Sequence, residues 1–318
     1  MIEHARSDSQ LYALVEEFFR TSFSTDNPLI TEAVRRMLAA GGKRLRPRMT
    51  LLAAQMGGGS PEQHLPLAAY MELIHVATLI HDDVVDQADT RRGVNATAID
   101  YGNRISVLAG DYLFAWIFKN VTAEYPHPIP HILSATLAAI CDGEVLQLRA
   151  LGNIELPLAA YIEIVEKKTA SLFAASAQCG AIMAAISPQE IAALHDFGLA
   201  YGIAFQMNDD LLDMTADAAL LGKPVGNDLR ERKMTVPLIL ALSGGDGDLR
   251  TRVERFYTSA DDNGIPEIIT LIEHHSGFSQ TRLKIAQYIE QAKRSLTILS
   301  GGRSKAELLD LADALLDQ

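Results

Sequence analysis

Residues 78–92 read TLIHDDVVDQADTRR, and residues 205–223 read FQMNDDLLDMTADAALLGK. Each is an apolar stretch ending in D-D-x-x-D, with cations further on. Positions i and i+4 lie on one helical face, so Asp82 and Asp86 share a pole with Asp83 beside them. Three carboxylates within one turn repel each other. Alone, such a motif reads as a solvated helix end. Here Met71, Leu73, Ile74, Val76, Leu79 and Ile80 precede it and Val84 and Val85 follow, so the acids need a counter-ion. Asp209, Asp210 and Asp213 repeat the spacing 127 positions later, among Ile203, Phe205, Leu211 and Leu212. Two such helix ends facing each other would hold several Mg²⁺ ions, because Mg²⁺ prefers hard oxygens and completes its shell with water and substrate phosphate. No His–Cys pair stands nearby, which argues against zinc.

Outward from these motifs the pattern is helical, with apolar residues recurring at three- and four-residue spacing. Strand-like alternation is scarce. Residues 62–86 and 188–213 form two long apolar helices, and 25 residues of helix span about 37 Å. Hydrophobicity on more than one face sends both through the core. Capping boxes stand at Ser60–Gln63, Ser187–Glu190 and Ser304–Glu307, and Pro61 and Pro188 occupy first helical positions. Short breaks fall at residues 56–60, 125–130, 244–248, 261–266 and 301–302, none long enough for a domain linker. The expectation is one all-α domain over residues 1–318, with a more polar C-terminal third.

The chain has 318 residues, 48% of them hydrophobic, enough for a sizeable core. A net charge of −12 repels phosphate backbones and excludes nucleic acid as a partner. Two cysteines, Cys141 and Cys179, make no disulfide framework and read as small buried residues. No signal-peptide pattern opens the chain, and no apolar run reaches the ~18 residues of a membrane span. A cytoplasmic protein is expected.

Cations gather near both acidic motifs. Residues 41–48 read GGKRLRPR, Arg91 and Arg92 follow the first motif, and Lys168, Lys223 and Lys233 recur in the second half. In an acidic chain this arrangement suits a diphosphate held by Mg²⁺ on one side and Lys/Arg on the other. There is no nucleophile elbow, Cys–His pairing, Walker loop or dinucleotide fingerprint. Metal, phosphate clamps and apolar walls fit the departure of a diphosphate from an allylic carbon, with the cation sheltered from water.

From about residue 41 to residue 240 the sequence resembles the trans-isoprenyl diphosphate synthase family, also called polyprenyl synthetases. The motifs in family order are G-G-K-R-L-R-P, H-D-D-V-V-D with R-R-G, G-E-x-x-Q at residues 143–147, K-T-A at 168–170, and F-Q-x-N-D-D-L-L-D followed by G-K-P-x-G-x-D-L. The resemblance implies a bundle of long antiparallel helices around a central cavity, and three Mg²⁺ ions with substrate bound. It implies that Asp82, Asp83 and Asp86 bind Mg²⁺ and the allylic diphosphate, and that Asp209, Asp210 and Asp213 hold further Mg²⁺. Arg91, Lys168 and Lys223 would contact the allylic diphosphate; Lys43, Arg46, His75 and Arg92 would form the isopentenyl diphosphate site. Thr169 and Gln206 would lie near the reacting carbons, and Lys233 would close over the diphosphates.

The same resemblance implies a dimer, most simply a homodimer, with residues 105–121 as a packing face; a heterodimer is the alternative. The competing enzymes are a short-chain (farnesyl or geranylgeranyl) synthase and a class I terpene cyclase, and one subunit of a heteromeric synthase is a further reading. A cyclase has no use for a second diphosphate site, so G-G-K-R-L-R-P and R-R-G favour condensation. Small Ala77 and Thr78 upstream of Asp82 leave the usual short-product floor absent, with Tyr70, Leu73 and Ile74 lower down and Phe114, Trp116 or Ile117 opposite. Tyr70 lies about 10 Å below Ala77 on the helix, which suggests about six to eight isoprene units. Arg232 stands where the family often has Gly, and the chain closes without the basic tail of many relatives.

Overall fold

The computed structural model describes residues 8–216, 225–244, 247–258 and 262–317. Their regular structure is helical apart from one hairpin pairing Thr90–Arg91 with Val94–Asn95. In chain order the first helices are α1 (Asp8–Ser22), α2 (Pro28–Ala39), α3 (Leu45–Ala54), α4 (Pro61–Val85), α5 (Thr97–Tyr101) and α6 (Asn103–Glu124). Then come α7 (Ile129–Ala150), α8 (Leu158–Val165), α9 (Ser171–Met183) and α10 (Pro188–Thr215). A π-helical turn, Glu166–Ala170, joins α8 to α9. Shorter helices follow, among them Val236–Ser243 and Gly277–Ser295.

The chain divides into two compact units. The first comprises residues 1–134, 175–195 and 300–306; the second comprises 135–174, 196–299 and 307–318. In the first, α4 packs chiefly against α6 and α3. It is buried on all sides from Leu67 to Ile74, as a helix without a polar face must be. Tyr70 is fully enclosed; its ring meets Trp116 at 5.8 Å and Phe18 at 6.0 Å, edge to face, and its hydroxyl donates to Glu124. In the second unit, Val236–Ser243 packs on Gly277–Ser295.

The two long helices lie where the pattern puts them. Of the three capping boxes, one forms in full: Ser187 N donates to Glu190 Oε2 at 2.9 Å and Glu190 N donates to Ser187 Oγ at 3.3 Å. Ser60 makes no side-chain cap. Ser304 is already inside the last helix, which begins at Arg303. Cys179 is buried, and burial pushes its thiol up to about 12, whereas Cys141 is exposed, against expectation. Helix α7 is long and apolar enough by composition to cross a membrane, although Asp142, Glu144 and Arg149 interrupt its apolar run. Its Gly143 presses on protein: an added Cβ would lie 2.5 Å from the Lys168 backbone nitrogen.

Candidate active site

Both acidic motifs sit at helix C-termini, where the helix dipole disfavours negative charge. In the first unit α4 ends at Val85, and Gln87 then takes φ 53 to turn the chain. Asp82 and Asp86 are half-buried one turn apart, and Asp83 is fully buried. Arg91 donates to Asp83 Oδ1 through Nε at 2.8 Å and Nη2 at 2.5 Å. Burial raises the Asp83 pKa against the pull of Arg91. Asp83 Oδ2 is buried with no hydrogen-bond partner, which a hard divalent cation would satisfy. Among the described residues, no three His, Cys, Asp or Glu side chains form a ready metal cage. Mg²⁺ commonly uses one or two carboxylates and leaves the rest of its shell to water and phosphate.

The R-R-G motif is the hairpin turn. Arg92 and Gly93 both have positive φ, 51 and 77, as a two-residue type I′ turn requires. The turn sends the two arginines to different partners. Arg91 goes to Asp83, while Arg92 donates from Nη1 to the Gly41 carbonyl. Gly42 makes room for it, since a Cβ there would sit 2.8 Å from Arg92 Nη1. The glycines of G-G-K-R-L-R-P thus seat the second arginine of R-R-G. His75 lies beside this assembly, and burial together with Arg46, Arg92, Arg91 and Arg44 holds its imidazole well below the ordinary range. His75 is therefore neutral at pH 7 and can accept or donate one hydrogen bond without adding charge. Lys43 is exposed and Arg46 buried.

Arg44, which motif reading left without a role, is the buried anchor of the loop. It adopts φ 49, donates to Glu16 at 2.7 Å, Glu72 at 3.0 Å and the Leu38 carbonyl at 2.9 Å, and lies over the Phe19 ring.

In the second unit the residues of interest converge on a cavity of about 140 Å³ lined by Lys168, Thr169, Gln206, Asp210, Lys233 and Thr235, among others. Lys168 and Thr169 lie on the π-helical turn, a distortion that often marks functional positions. Lys168 pairs with Glu144, the acid of G-E-x-x-Q, and Gln147 of that motif also lines the cavity. Thr169 Oγ1 donates to Gln206 Oε1 at 2.9 Å, and Gln206 Nε2 donates to Asp210 Oδ1 at 3.0 Å. Asp210 Oδ2 accepts from the Tyr161 hydroxyl at 2.7 Å and Val236 N at 3.3 Å. Burial raises the Asp210 pKa against these three donors.

Close helix approach explains this geometry. On α10, Gly198, Gly202, Gln206 and Asp210 recur every four residues and share a face. A Cβ at Gly198 would meet the Phe173 carbonyl at 2.5 Å; one at Gly202 would meet Ala170 Cα at 2.6 Å. Only glycine lets α10 approach so near, and the next two residues of the stripe then reach Thr169 and Tyr161.

The members of the second acidic motif differ. Asp209 is exposed, Asp210 is held as described, and Asp213 accepts the Asp228 backbone N–H at 3.1 Å. Lys233 pairs with Glu231, and Arg232 takes φ 57, a conformation natural to glycine. Its carbonyl accepts from Gly152 N at 2.8 Å. Lys223 lies outside the described residues. Tyr161 was invisible to motif reading, although its position seven residues before Lys168 places it on the helix leading into the π turn.

A family model described as polyprenyl synthetase matches residues 27–272. The chain is 34% identical to the short chain isoprenyl diphosphate synthase of Methanothermobacter thermautotrophicus, over 96% of this chain and 95% of that protein. It is 35% identical to the octaprenyl diphosphate synthase of Escherichia coli, over 91% of this chain and 90% of that one. A polyprenyl synthase from Caulobacter crescentus, solved with calcium and isoprenyl diphosphate, superposes with a TM-score of 0.90 at 35% identity, covering 98% of this chain and 94% of that one.

Proposed function

The chain is a prenyltransferase of the polyprenyl synthetase family, and from that premise we propose that it condenses an allylic diphosphate with isopentenyl diphosphate to an all-trans polyprenyl diphosphate of about six to eight isoprene units. One observation carries the reading against a cyclase. Arg92, which donates to the Gly41 carbonyl, and buried Arg46 both lower the His75 pKa through their charge, whereas Arg44 and Arg91 are paired with Glu16, Glu72 and Asp83. Such a concentration of positive charge fits a second diphosphate, which a cyclase lacks.

Asp82, Asp83 and Asp86 would hold Mg²⁺ with the allylic diphosphate, and Asp209, Asp210 and Asp213 are the second acidic set, of which Asp209 is the outward member. When bound, Mg²⁺ would neutralise charge developing on the leaving diphosphate; three ions are proposed. Arg91, steadied by Asp83, and Lys168, steadied by Glu144, bind and orient that diphosphate. Lys43, Arg46, Arg92 and neutral His75 receive isopentenyl diphosphate. Thr169 and Gln206 lie near the reacting carbons and stabilise developing positive charge, and Lys233 closes over the diphosphates. Buried Leu73, Ile74 and Ala77 with the Tyr70–Trp116 pair supply apolar walls for the growing chain.

We propose further that residues 1–318 act as one catalytic domain, in the cytoplasm, as a homodimer. Exposed Val107, Leu108 and Tyr112 on α6 support the dimer, and a monomeric mass by light scattering from fully active enzyme would refute it. The function is tested by incubation with farnesyl and isopentenyl diphosphates plus Mg²⁺, followed by product sizing. A longer diphosphate is expected; a diphosphate-free hydrocarbon would establish a cyclase instead.

A further inference from the structure

We infer that Tyr161 is a positioning residue that, through Asp210 and Gln206, sets the direction of hydrogen bonding at Thr169 so that the threonine oxygen faces the cavity as an acceptor. The inference rests on the condensation reading above and extends it to a residue outside every motif. Its starting point is Asp210, a carboxylate only 4% exposed. As an anion it can only accept. Its Oδ2 is already engaged by the Tyr161 hydroxyl at 2.7 Å and by Val236 N, the first helical residue of Val236–Ser243. Helix N-termini favour an anion at that point. A tyrosine hydroxyl keeps its proton at neutral pH, and at 2.7 Å from a carboxylate oxygen it is the donor.

The remaining oxygen, Oδ1, fixes Gln206. The amide must turn its NH₂ towards Asp210, at 3.0 Å, which leaves Oε1 for Thr169 at 2.9 Å. An amide oxygen only accepts, so Thr169 must donate its single hydroxyl proton to Gln206. Its lone pairs are then left for the cavity, where Lys168 and Lys233 also lie. Every proton in the series Thr169, Gln206, Asp210 points towards the buried carboxylate. An oxygen presented this way stabilises positive charge developing on a reacting carbon; a hydroxyl free to rotate would also turn its proton towards that carbon. Tyr161 makes the arrangement firm, because without its hydroxyl Oδ2 keeps only the 3.3 Å bond from Val236 N. Linked buried hydrogen bonds reinforce one another in this manner.

The experiment uses the full-length enzyme and single-turnover formation of the first elongation product, which product release cannot mask. Tyr161→Phe keeps the ring and removes only the hydroxyl. The expected result is an about tenfold slower bond-forming step, with KM for both diphosphates within about twofold of wild type. The discriminating measurement is a double-mutant cycle with Thr169→Val. In that background Tyr161→Phe should slow the reaction by less than about twofold, since the group it orients is gone. Equal losses in both backgrounds, a raised KM with an unchanged rate, or a Tyr161→Phe chain that does not fold would each overturn the inference. If wild type forms no longer diphosphate, the condensation reading itself fails. If wild type does so and Tyr161→Phe matches it, the relay alone is refuted.

Discussion

Replacing Gly42 with alanine tests whether the two glycine- and arginine-bearing motifs of the first unit form one anion site. Gly42 has φ +149, a conformation that L side chains rarely adopt, so Gly42→Ala strains the backbone by about 1 kcal/mol. The added Cβ would lie 2.8 Å from Arg92 Nη1, 3.0 Å from Cζ and 3.1 Å from Nη2. Ordinary contact begins near 3.4 Å, so the guanidinium must retreat by about 0.6 Å (3.4 − 2.8). It is the end of a flexible side chain and moves at little cost to folding, but it leaves its bond to the Gly41 carbonyl. A charged hydrogen bond is worth about 1.5–3 kcal/mol, and a misplacement near 1 Å costs up to about 10²-fold. The expected outcome is an about tenfold rise in KM for isopentenyl diphosphate, with KM for the allylic substrate and kcat within about twofold. Gly41→Ala is the control. It shares the positive φ, at 76, but its Cβ would meet nothing within 4 Å, so it should strain the loop without displacing Arg92. Steady-state kinetics with each diphosphate varied in turn decide the matter. Equal rises in both KM values, or no rise in either, would refute the assignment of Arg92 to the second diphosphate.

The acidic motifs predict that Asp82→Ala lowers kcat by orders of magnitude with an unchanged circular dichroism spectrum; full turnover in EDTA would exclude metal-assisted ionisation. Ala77 is fully buried on α4, so Ala77→Phe should shorten the product to about three or four isoprene units while overpacking costs about 1–3 kcal/mol. A wild-type enzyme that stops at farnesyl diphosphate would overturn the open-tunnel argument. Arg44→Ala strands the Glu16 and Glu72 carboxylates, Glu72 being almost fully buried. It should destabilise the fold by about 3–5 kcal/mol in urea titration, and an unchanged midpoint would show that the triad is dispensable. His75 is held neutral when folded, so the unfolded chain binds its proton first as pH falls below about 6.5. Its contribution to stability is therefore lost on acidification, and His75→Gln should flatten the dependence of the melting temperature on pH between about 6.5 and 5.

The helical architecture was legible because α4 and α10 each carry more than twenty residues of periodic, nearly all-round hydrophobicity. A helix hydrophobic on all sides is buried in a core. The acids of both motifs were legible too, since one-turn spacing puts them on a common face wherever the helix goes. Local signals were less dependable. Ser187 caps its helix, whereas Ser60 makes no side-chain cap although its backbone is extended as a cap's is, and Ser304 falls inside a helix. Arg91 and Arg92 are adjacent in sequence yet serve different partners, because a two-residue turn with positive φ at Arg92 and Gly93 separates them. Arg44 looked equivalent to its basic neighbours and proved to be an interior ion pair. Tyr161 and Asp210 are 49 positions apart and meet only because Gly198 and Gly202 let two helices approach. By itself, then, the sequence determined the elements, the acidic pairs and the cation-rich loops, which follow from spacings within a turn or two. Tertiary structure alone decided which charges are buried, which donor each acceptor receives and which way Gln206 faces, since those depend on desolvation and contact between segments far apart in the chain.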